Sequence, residues 1–67
     1  MRPTTYRITI DGRLSERFAP SFDGFAQEPG DGETAIVGLV RDQAQLYGVL
    51  DRIRSLGLEL VRVEVDG

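Results

Sequence analysis

Two short junctions carry the residues whose types and spacing best suit ligand chemistry. They are Asp11-Gly12-Arg13 and Arg41-Asp42-Gln43. Each stands where a strand is expected to give way to a helix, so free backbone amides and a guanidinium meet there, and together they could hold a small anion. Gly12, Arg13, Arg41 and Gln43 are therefore the candidate ligand-binding residues, with both junctions expected at the same end of the sheet. Asp11 and Asp42 offset the positive charge, and plain loop and capping roles compete with the anion site.

Other chemistry is restricted by what the chain lacks. It contains no histidine, cysteine, lysine, asparagine or tryptophan, and all eight cationic side chains are arginine. A histidine acid or base, a Ser/His/Asp or Cys/His nucleophile and a thiol redox pair cannot be assembled from these residues. The usual zinc spacings are likewise unavailable. Asp31 with Glu33 reads as a solvated turn, because no loop has the length and ligand spacing of a calcium site. No catalytic residue, metal ligand or cofactor is expected, and an enzyme ranks last among the functional readings. A net charge of -3 with scattered arginines argues against nucleic acid as a partner. No apolar run approaches the roughly 20 residues of a membrane span, so the expected setting is cytoplasmic, without a membrane partner.

Three aromatic residues, Phe18, Phe22 and Phe25, could line a pocket. A short helix needs large side chains to cover its side of a sheet, however, and the expectation is that they plug the core. Gly48 interrupts a strong helical pattern at a cost of about 1 kcal/mol relative to alanine, which points to close approach by a neighbouring element. Tyr47 beside it reads as amphipathic cover.

The elements that must position these residues follow from hydrophobic periodicity. TTYRITID, residues 4–11, alternates as a half-buried strand. LSERFAPSFDG has Ser15 as a helix cap and Leu14, Phe18, Phe22 and Phe25 at helical steps, with Pro20 predicting a short or kinked helix. A short strand from Phe25 to Gln27, the turn EPGDGE and the apolar strand Thr34 to Val40 form a hairpin. Asp42 and Gln45 have capping-box spacing, and Leu46, Val49, Leu50, Ile53 and Leu56 form one helical face that Gly57 terminates. LELVRVEVD is the last strand, with Val61, Val63 and Val65 on one side and Leu60, Arg62 and Glu64 on the other.

This order predicts a single α+β domain over residues 1–67, a compact ferredoxin-like βαββαβ two-layer sandwich with the first and third strands central. The alternative is a three-stranded sheet with one long helix. Both leave one sheet face without helices. Arg7, Thr9, Leu60, Arg62 and Glu64 are expected there, with either Ile36 and Val40 or Val37 and Leu39 from the third strand. A domain of this size has little core, and an exposed mixed face suggests self-association. Arg7, Thr9, Ile36, Val40, Leu60 and Arg62 are thus the candidate oligomer interface.

DQAQLYGVLDRIRSLGLEL, preceded by DGETAIVG, resembles a family of small uncharacterised actinobacterial proteins over nearly the whole chain. The shared second-helix pattern is DQAxLxGxLxRIRxLGL. The resemblance implies a common fold unit and assigns no catalytic residue. The expected topology is also similar to small-ligand ACT domains, in which the first strand-helix loop touches ligand. The leading expectation is a homo-oligomeric protein-interaction or assembly module without catalysis. Its partner would be a second copy, another protein or a small anion, and the alternative is an ACT-like ligand-binding regulatory domain.

Overall fold

The structure, a computed structural model, describes residues 2–66. Its elements are β1 (Thr4–Asp11), a 3-10 helix (Glu16–Phe22), β2 (Ala26–Pro29), β3 (Glu33–Val40), α1 (Gln43–Ser55) and β4 (Leu60–Val65). All adjacent strands pair antiparallel, in the order β2-β3-β1-β4. The architecture is mixed α+β, with a four-stranded sheet and one α-helix. Because the hairpin strand β2 forms, the three-stranded alternative does not apply.

Only one of the two expected helices is an α-helix. Pro20 lies inside the first, lacks an amide donor and crowds the preceding turn, and the backbone winds there as tighter 3-10 turns. The Ser15 hydroxyl accepts from the Arg17 amide at 3.4 Å, so the expected cap is present. The sequence's capping signal for α1 is realised more fully. Asp42 Oδ1 accepts from the Gln45 amide at 2.8 Å, and Gln45 Oε1 in turn accepts from the Arg41 amide at 2.7 Å. At the other end the Gly57 amide donates to Arg54 and the Leu58 amide to Ile53, with Gly57 at φ 75°. That paired closure needs a residue with positive φ, which glycine adopts without strain.

Directly opposed residues of an antiparallel pair share a sheet face, so the register assigns the sides. Ile8 lies opposite both Ile36 and Val63, and Tyr6 opposite Gly38 and Val65. These residues face the helices. The core consists of Ile8, Ile10, Phe22, Ile36, Val49 and Ile53, with Leu14, Phe25, Leu46 and Leu56 among the side chains packed against it. Phe22 joins this cluster and Phe25 lies over Gly38, where a β-carbon would come within 2.8 Å of the ring's Cγ. Phe18 is only half-buried, and the Arg17 guanidinium stands 5.6 Å from its ring centroid. Two of the three phenylalanines therefore close the core, as expected.

The last strand departs from simple alternation. Pairing shifts between Thr9 and Ile10, so that Thr9 is opposite Arg62 but Ile10 is opposite Leu60. One extra residue, Val61, sits in this bulge. It moves Leu60 to the helix-bearing side, whereas uninterrupted alternation would have placed it beside Arg62.

Candidate functional site

The two junctions proposed as one anion site are at opposite ends of the sheet. β1 and β3 pair with Asp11 opposite Glu33 and Thr4 opposite Val40. Gly12 and Arg13 follow the end of β1, whereas Arg41 and Gln43 follow the end of β3. Seven residue steps separate these ends, about 24 Å at about 3.4 Å per residue. Antiparallel direction is the physical reason: a strand that leaves one end of the sheet is beside a neighbour that enters there. Gly12 has a turn role instead. Its φ is 77°, its amide donates to Gly32 and its carbonyl accepts from the Thr34 hydroxyl. Arg41 contributes its backbone amide to the α1 cap.

The helix-free face is polar and internally paired. Arg7, Thr9 and Arg62 point to it, joined by Ala35, Val37 and Leu39 from β3 and by Ala26 and Glu28 from β2. Ile36 and Val40, which the candidate interface included, are instead fully buried on the other side of β3, because Ile36 lies opposite inward-facing Ile8, and Val37 and Leu39 face the helix-free side in their place. Leu60 is removed from this face by the bulge. Across the face, Arg7 pairs with Glu28 at 2.9 Å and Asp66 at 3.3 Å, while Arg62 pairs with Glu64 at 3.1 Å and Glu33 at 3.3 Å. The hydrogen bond to Glu28, followed by that to Asp66, holds the Arg7 guanidinium above its ordinary value. Thr9 and Ala35 form the floor of a cleft of about 180 Å³ beneath these charges. The cleft's lining sets the two guanidiniums of Arg7 and Arg62 against the two carboxylates of Glu28 and Glu33, so its charges are balanced. The charge alternation along β4 was legible in the sequence, but its acidic partners Glu28, Glu33 and Asp66 come from separate elements.

The larger uncovered apolar surface lies on the helix-bearing side. α1 does not reach across β4, and Val63 and Val65, though directed to that side, are 37% and 65% exposed. A cleft of about 500 Å³ opens between the end of α1 and the start of β4, with Leu50, Ile53, Leu58 and Leu60 in its lining. Tyr47, also exposed, stands on the same flank of α1 as Leu50 and Arg54 by helical geometry. On the opposite flank, Arg52 donates to the Ser21 carbonyl beside a cleft of about 450 Å³. A β-carbon at Gly48 would meet nothing within 4 Å, so the expected close approach is not made.

Among the described residues no group of three or more carboxylates could hold a metal ion. Among the described residues no helix is long and apolar enough to cross a membrane.

A family model described as Domain of unknown function (DUF8691) matches residues 5–64. No curated protein and no solved structure matches the chain.

Proposed function

We propose for this chain, which belongs to the DUF8691 family of domains of unknown function, a role as a homo-oligomeric interaction or assembly module without catalysis. The observation that carries this reading is the apolar surface left open beside α1 and along β4. Val63, Val65 and Leu60 remain exposed next to a core built on six fully buried side chains. A chain this small has little stability in reserve, and association that covers such surface stabilises the folded state by mass action. The interface set is narrowed to Arg7 and Arg62 as accessible outward residues, with Thr9 on the same face but buried beneath them. A ferredoxin-like assignment is part of the proposal. The central placement of β1 and β3 supports it, with the first crossover reduced to 3-10 turns. So are an actinobacterial origin, on the second-helix pattern, and a cytoplasmic setting.

Sedimentation velocity across a range of concentrations tests the role. The expected result is a mass of at least two chains that falls on dilution. A single 7.4 kDa species at every concentration overturns it.

A further inference from the structure

We propose that two copies join edge to edge through β4, antiparallel about a two-fold axis at Val63, to make one continuous eight-stranded sheet. The proposal rests on the assembly reading above and names its interface.

β4 is the sheet's unprotected edge. The other edge, β2, has four residues and ends in Pro29, which cannot donate to a further strand. β4 has six residues, all exposed, and nothing among the described residues pairs with its outer side. Which of its backbone groups are free follows from the ladder. The Asp66 amide donates to the Thr5 carbonyl at 2.8 Å, and the register continues through Tyr6 opposite Val65 and Arg7 opposite Glu64. In an antiparallel ladder the bonded positions alternate, so Glu64 and Arg62 direct their amides and carbonyls toward β1. Val63 and Val65 direct theirs outward, where they have no partner strand.

An added antiparallel strand must therefore bond to the valines. Three two-fold registers of β4 on itself are available within this strand, centred on residue 62, 63 or 64. Centring on Arg62 sets two guanidiniums against each other, and centring on Glu64 sets two carboxylates against each other. In either case the outward valines could still form the bonded positions, so it is the like charges brought together on the axis that disfavour these registers. Centring on Val63 avoids this. Val63 then exchanges two backbone hydrogen bonds with its copy, Val65 lies opposite Val61, and Arg62 lies opposite Glu64 on the helix-free face. The Arg62–Glu64 position is a non-bonded one, where side chains stand closest, and the dimer contains this charge pair twice. Edge strands are normally guarded by charge, yet here the spacing of one positive and one negative residue, two apart, makes the edge self-complementary. The bulge at Leu60 and Val61 ends the pairing on each side.

The chain has no cysteine, so a single introduced thiol reports geometry without interference. Val63→Cys is expected to give a disulfide-linked dimer under mild oxidation, because opposed bonded residues stand about 5.5 Å apart, within disulfide reach. Asp51→Cys, on the exposed side of α1, should stay monomeric under the same conditions. Sedimentation of Arg62→Glu and of Glu64→Arg should show association weakened about tenfold or more, since each single change sets like charges in opposition. The double swap Arg62→Glu/Glu64→Arg should restore it to within a few fold. A wild-type chain that sediments only as a monomer overturns both this proposal and the assembly reading. A wild-type oligomer that is indifferent to the single charge changes, or that fails to cross-link at residue 63, overturns the β4 edge alone.

Discussion

Two glycines with similar sequence surroundings have opposite structural meaning. Gly38 is required by contact, for the Phe25 ring lies where its β-carbon would be, within 2.8 Å of ring Cγ. Gly48 faces open space within α1 and has no such reason to be glycine. Thermal unfolding should separate them. Gly38→Ala is expected to lose about 1–3 kcal/mol because a rigid aromatic ring must move, whereas Gly48→Ala should gain about 1 kcal/mol from helix propensity. If Gly38→Ala unfolds at the wild-type temperature, Phe25 does not occupy the inner face in the way described. Arg7 illustrates a residue whose role depends wholly on distant partners. Its guanidinium is held by carboxylates from β2 and from the segment after β4, residues 21 and 59 positions away.

At the scale of elements, α1 is stabilised by signals contained in its own sequence, and the first crossover is not. The Asp42 cap and the Gly57 closure each satisfy backbone groups that a helix end otherwise leaves unpaired. Asp42→Ala should cost about 1 kcal/mol, measured by urea denaturation, with Asp42→Ser restoring most of it. An unchanged denaturation midpoint for the alanine variant would remove the cap from this account. The 3-10 segment lacks comparable closure and is fixed instead by Phe22 in the core and by the bond from Arg52 to the Ser21 carbonyl. Helical spacing of Leu14, Phe18, Phe22 and Phe25 correctly indicated a helix-like segment that covers the sheet. It did not reveal the tighter winding, which Pro20 imposes locally.

For the whole molecule, charge is spread over the sheet surface in a way that responds weakly to pH near neutrality. No histidine or cysteine is present to titrate there. Arg7 has a raised folded-state value, so its contribution is fully present below the ordinary guanidinium value and is lost only as pH rises through the raised one, in strong alkali. Between about pH 6 and 9 the melting temperature should therefore change by less than about 4 °C, the equivalent of 1 kcal/mol in a domain of this size. A steeper dependence, read by calorimetry at constant ionic strength, would show a titrating group that the arginine network does not explain.

Local order in this chain was fixed by nearest neighbours. TTYRITID specifies β1 because alternation requires only that one side be buried, and Asp42, Gln45 and Gly57 bound α1 through hydrogen bonds that span at most five residues. Tertiary structure alone decided three further matters, each dependent on the relative direction or register of strands distant in sequence. It separated Gly12 and Arg13 from Arg41 and Gln43, because antiparallel pairing sends successive strand ends to opposite sides. It turned Ile36 and Val40 inward, because both faces of β3 are apolar and only the partner Ile8 selects between them. It also moved Leu60 across the sheet, since a bulge depends on how β4 meets β1 and leaves no mark in a pattern of alternating residues.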